Sequence, residues 1–163
     1  MLWVKTFFGI LFQTILLGIF LYLPALTLNW SDAFLLLTIH FLMTILASAY
    51  LLIVKPESIE ARMNYDSKTQ PKEDRLATAL MFSVIFVGLS LAPIDIFHLN
   101  LSSSFEGSIK NIGLAIYIIG MLLFMASLNA NEFAETTVNI QEERGQKVID
   151  TGIYSMVRHP MYT

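Results

Sequence analysis

Four apolar stretches, near residues 7–28, 33–54, 76–92 and 109–128, leave this chain few ways to fold. Each is long enough for a helix to cross roughly 30 Å of hydrocarbon. An unpaired backbone amide in lipid costs several kcal/mol, so each crossing has to be helical. The sequence therefore predicts an all-α integral membrane bundle of about four transmembrane helices over residues 1–128, followed by a polar C-terminal segment, 129–163. Its first apolar stretch is longer than the core of a cleaved signal peptide, roughly 7 to 15 residues, and is read as a span.

Basic residues set the expected orientation. Lys5 precedes the first span; Lys55, Arg62, Lys68, Lys72 and Arg75 follow the second; Arg144, Lys147 and Arg158 follow the fourth. The opposite side holds Lys110 alone. Both chain ends and the second loop are thus expected on the cytoplasmic side. With no cysteine there is no disulfide, thiolate nucleophile or cysteine zinc site. No metal site and no nucleic-acid partner are expected, and the net charge of −3 says little by itself.

Asn29 to Asp32 reads as a tight hairpin, with Trp30 at the interface and Ser31 or Asp32 capping the next helix. Lys55-Pro56 ends the second span, and residues 57–74 read as a solvated loop with a short surface helix; Tyr65, Asp66 and Lys68 could face a ligand, but a plain connector is the favoured reading. Pro93 and Asp95 weaken the third span, so 97–107 reads as an outer loop. Gly113, Gly120 and Ser127 recur every seven residues on one face of the fourth, a signature of close helix–helix approach. That stripe supports an alternative reading, a noncatalytic multi-span protein acting through helix association. After the fourth span the helix is expected to run on briefly. Gly145 and Gly152 then bracket a short extended or looped segment with Val148 and Ile149 turned inward.

Ionisable residues within spans are functional suspects by default. His40 lies well away from the polar C-terminal segment, and a hydrogen bond to a neighbouring helix, with Gln13 as the partner considered, explains it without a site. Asp95 and His98 read as an exposed interfacial pair.

The last residues concentrate the chemistry. Arg158-His159-Pro160 reads as a loop feeding a helix at Pro160, whose missing amide proton suits a first turn. A guanidinium and an imidazole there can hold a carboxylate or phosphate, and Tyr154 and Tyr162 can stack on an aromatic ring. Residue types alone slightly favour a plainer reading, in which Arg158 and His159 meet lipid phosphates and the tyrosines form an interfacial belt.

Gly152-x-Tyr154-x-x-Val157-Arg158-His159-Pro160-x-Tyr162 resembles the signature of the isoprenylcysteine carboxyl methyltransferases and their phospholipid methyltransferase relatives. Asn131-x-Phe133 and Gln141-Glu142-Glu143-Arg144-Gly145-Gln146-Lys147-Val148 resemble the lead-in of bacterial members; Ile153 stands where proline is usual. The resemblance covers about residues 129–162. It implies S-adenosylmethionine as cofactor, with Arg158 and His159 on its polar groups, Tyr154 and Tyr162 walling its pocket, Pro160 starting the next helix, and a lipophilic methyl acceptor arriving from the bilayer. It assigns no catalytic residue. It also implies a further helical region with paired glutamates beyond Thr163, so the sequence is expected to be C-terminally truncated. A reductase of similar membrane architecture is a third reading; no Gly-x-Gly-x-x-Gly run supports a soluble dinucleotide-binding domain.

Overall fold

The computed structural model describes residues 1–63, 72–101, 107–134 and 145–160, and among them it is helical without strands. Among the described residues, four helices are long and apolar enough to cross a membrane. They are α1 (Leu2–Ala25), α2 (Ser31–Val54), α4 (Lys72–Ile94, running on as a π-helical turn, Asp95–Leu99) and α5 (Ser108–Ala130). A short helix, α3 (Pro56–Met63), follows α2. The hairpin of α1 and α2 occupies the middle of the array, with α4 against α1 and α5 against α2. Residue pairing makes α4 parallel to α1, since Phe20 stacks on Phe86 and Pro24 meets His98. Likewise α5 runs parallel to α2, with Asp32 paired to Lys110 at one end and Lys55 bonded to Asn129 at the other.

Little of these helices is buried, and their outer faces carry Phe, Leu, Ile and Val side chains such as Phe12, Leu23, Phe34 and Val84. That is the inverse of a water-soluble bundle and fits a lipid solvent. Several hydroxyls on the spans satisfy themselves locally: Thr14, Thr38, Ser83 and Ser127 each donate to the carbonyl four residues earlier.

Helix ends are completed by neighbours. Pro24 lacks the amide that would bond Phe20 O, and Ser90 Oγ of α4 donates to that carbonyl instead, at 3.3 Å. Leu26, at φ 53°, terminates α1. The carbonyl of Pro24, orphaned by that stop, accepts a 2.7 Å hydrogen bond from His98 Nε2. Asp95 Oδ1 in turn accepts from the Leu101 amide, closing the π-helical turn. The outer loop expected from residue 97 therefore begins later. Pro93 is buried inside a continuing helix, which a membrane span tolerates when neighbours satisfy its freed groups. His98 is exposed, as expected of an interfacial residue, and Asp95 is half-buried; both also act as structural caps.

Removing one such cap gives a modest, measurable effect. His98→Ala should cost about 1 kcal/mol, seen as an earlier midpoint in detergent unfolding followed by the fluorescence of Trp30, whose ring meets Phe97 edge-on at 5.3 Å.

Other expectations shift in detail. The first span starts at Leu2 and ends at Ala25, ahead of the 7–28 expected. Neither Ser31 nor Asp32 caps α2 through its side chain; Trp30 is the cap residue, and Asp32 is drawn off to Lys110. Helix α3 is less of a surface helix than expected, because Ser58 and Ile59 are buried, Ile59 with Leu51 and Leu52. Tyr65, Asp66 and Lys68 lie outside the described residues.

Candidate functional site

Helix α5 ends at Ala130 with no basic residue in its last turn, so its final carbonyls need donors from elsewhere. Helix α3 and its approach supply them. Lys55 Nζ donates to Asn129 O, Arg62 Nη2 to Leu128 O at 3.3 Å, and Arg62 Nε to Ala134 O at 2.8 Å. Ser58 Oγ donates to Glu132 O at 3.4 Å. Two cations at a helix C-terminus also oppose its partial negative charge. Beyond Ala130 the chain leaves the helix: Asn131 is extended, and its Oδ1 accepts from the Phe133 amide, folding Phe133 and Ala134 under the turn.

On this platform sits the C-terminal segment. Gly152 opens a 3₁₀ turn, Gly152–Ser155, against the end of α5. Its φ of 60° is the left-handed conformation, and an added Cβ would lie 3.6 Å from Ala130 Cβ, an ordinary contact. Conformation, more than space, therefore calls for glycine. Gly152→Ala should cost about 1–2 kcal/mol and speed tryptic cleavage at Lys147 and Arg158 as the turn loosens.

Tyr154 is half-buried, and its hydroxyl accepts from Asn131 Nδ2 at 3.4 Å. This one bond ties the lead-in Asn131-x-Phe133 to the motif itself. Arg158 and His159 are exposed and Pro160 is buried. Arg158 has no ion-pair or hydrogen-bond partner among the described residues. Tyr162 lies outside the described residues, as do residues 141–144 of the lead-in. The structure thus brings Tyr154 onto the end of α5 and leaves Arg158 and His159 facing outward. Val148 does not turn inward: it is 91% exposed, and only Ile149 is half-buried. With no strand or helix over 146–150 there is no sheet face to bury it.

A second feature lies deeper. Between α1, α2, α3 and α5 is a cavity of about 360 Å³ whose lining includes Gln13, His40, Thr44, Ser48 and Arg62 among apolar side chains. His40 is buried, and its Nδ1 shares a 2.7 Å hydrogen bond with the Tyr117 hydroxyl of α5. The neighbouring-helix bond expected for His40 exists, but on α5 in place of Gln13. Of the small-residue stripe, Ser127 is fully buried within the chain, whereas nothing lies within 4 Å of where a Cβ on Gly113 or Gly120 would be.

Sequence reading missed Lys55, Ser58 and Arg62. Their signal was indirect: two basic residues, Lys55 and Arg62, flank Pro56 on the side where α5 ends without a basic residue of its own.

A profile of a family described as a protein of unknown function, DUF1295, matches residues 57–163, about two thirds of the chain. The chain belongs to DUF1295. This is a family of membrane proteins in the steroid 5-alpha reductase-like superfamily. No curated protein and no solved structure shows significant similarity to the chain. The DUF1295 match begins within α3 and covers α4, α5 and the C-terminal segment, so it includes Arg62, its acceptors Leu128 and Ala134, and the whole Gly152-to-Tyr162 motif.

Proposed function

We propose that this DUF1295 protein is a membrane-embedded methyltransferase of the isoprenylcysteine carboxyl methyltransferase-like class, using S-adenosylmethionine on a lipophilic acceptor. The observation that carries the reading is the docking of the motif: Gly152 and Tyr154 are seated on the end of α5, with Arg158 exposed and uncompensated nearby in sequence. The residues suit the cofactor in kind. Arg158 offers its carboxylate a charge-assisted partner, His159 adds a ring donor, and Tyr154 and Tyr162 offer aromatic surface. Bound there, the cofactor would supply an activated methyl group. The chain's own task is then alignment at the membrane surface, where holding two reactants in near-attack geometry and excluding water account for much of the rate. On this reading both chain ends face the cytoplasm, as the basic residues imply.

The superfamily favours a second reading, reduction of a lipophilic substrate by a nicotinamide cofactor whose phosphates would meet the same Arg158 and His159. Titration calorimetry of the full-length protein in detergent with S-adenosylmethionine and, separately, with NADPH decides between them. Heat of binding with S-adenosylmethionine, lost in His159→Ala, together with transfer of labelled methyl to a lipid extract, is the expected result. Binding of NADPH alone would replace methyl transfer by reduction. Binding of neither, with co-purification of another membrane protein, would favour the noncatalytic alternative.

A further inference from the structure

Polar atoms in the middle of a membrane helix are costly unless something bonds them. His40 lies roughly 20 Å along α2 from Val54, at ~1.5 Å per residue, and is 7% exposed. Its Nδ1 is committed to Tyr117, yet its Nε2 is buried with no hydrogen-bond partner. One turn further on, Thr44 Oγ1 is in the same condition. Residues four apart share a helix face, and both side chains line the 360 Å³ cavity. Gln13 lines it from α1 and also lacks a side-chain partner among the described residues. Opposite them, Met121, Phe124 and Met125 of α5 provide a flexible apolar wall. The volume falls within the roughly 300–1,000 Å³ of small-molecule sites, and a mostly apolar lining with a few convergent polar groups is their usual chemistry.

We infer that this cavity is a binding site for a lipophilic alcohol, its hydroxyl bonded by His40 and Thr44 and its hydrocarbon laid along α5. The hydroxyl follows from the tautomer logic of His40. If Tyr117 donates to Nδ1, Nε2 carries the proton and needs an acceptor; if Nδ1 donates, Nε2 needs a donor. A hydroxyl answers either state and can bond Thr44 as well, whereas an ether, ester or ketone oxygen answers only one. This site stands apart from the cofactor question, since none of its residues belongs to the C-terminal motif.

Photolabelling of the full-length protein in phosphatidylcholine nanodiscs tests it, with a hexadecanol probe bearing a mid-chain diazirine and a terminal alkyne. Labelling should map to α5 around Met121–Met125, be displaced by excess hexadecanol, and fall about tenfold in His40→Leu. The analogous probe without the hydroxyl should label the wild type no better than the alcohol labels that variant. Thr44→Val, nearly isosteric, should reduce labelling about threefold, and it carries the comparison alone if His40→Leu does not yield folded protein. Labelling spread evenly over the lipid-facing helices, equal labelling by the two probes, or no change in Thr44→Val would overturn the proposal and leave the cavity to water.

Discussion

Arg62→Ala is expected to destabilise this protein more than any other single substitution at its helix ends, by about 2–3 kcal/mol, the range for losing charge-assisted hydrogen bonds while stranding their acceptors. One side chain holds two carbonyls, Leu128 O inside α5 and Ala134 O beyond it, and so bridges the turn that carries the C-terminal segment. Without it, both carbonyls lose their guanidinium donors. Hydrogen exchange should rise over residues 127–134 and at the Gly152–Ser155 turn, while the far end of the molecule, where Asp32 pairs with Lys110, stays protected. Arg62→Lys should recover only part of the loss, because an ammonium cannot present the fork that reaches two acceptors in fixed geometry. Uniform exchange across all four spans would show that Arg62 supports the whole array and not this junction.

Arg158→Ala should leave stability near that of the wild type and weaken S-adenosylmethionine binding by about 10- to 100-fold, the equivalent of one charge-assisted contact. The separation of the two effects is the point of the experiment. Arg158 is exposed and holds no partner among the described residues, so its removal breaks nothing internal. Its contribution should appear only when an anionic group is present, and should weaken as salt is raised because the site is open to solvent. Arg158→Lys is expected to fall between wild type and Ala. Unchanged affinity in Arg158→Ala would remove the guanidinium from the proposed cofactor site and return it to the lipid headgroups.

The number and approximate position of the spans could be read from the sequence because apolar length is a local property that the bilayer enforces. Where the helices stop was harder. Pro93 and Asp95 look like breakers, yet α4 passes through them and turns until Leu99, held by His98 on Pro24 and by Asp95 on Leu101. Ser90 meets Phe20, and Arg62 meets Ala134, across about seventy residues of sequence. No local pattern encodes such distant partners. His40 shows the same limit: a hydrogen bond to another helix was foreseeable from its burial in a span, but the choice of Tyr117 over Gln13 depends on which helix lies alongside. In the C-terminal segment the motif was legible as residue types. Its seat on α5, through Gly152 against Ala130 and Tyr154 on Asn131, appears only in three dimensions.

The central position of the α1–α2 hairpin has a consequence for biogenesis. Because these two helices are consecutive and contact each other directly, they can enter the bilayer as a unit before the rest of the polypeptide is synthesised. Each later span then joins through one seam, α4 along the flank of α1 and α5 along that of α2. A lesion confined to one seam should therefore release one helix to the insertion and quality-control machinery while its counterpart on the other flank remains assembled.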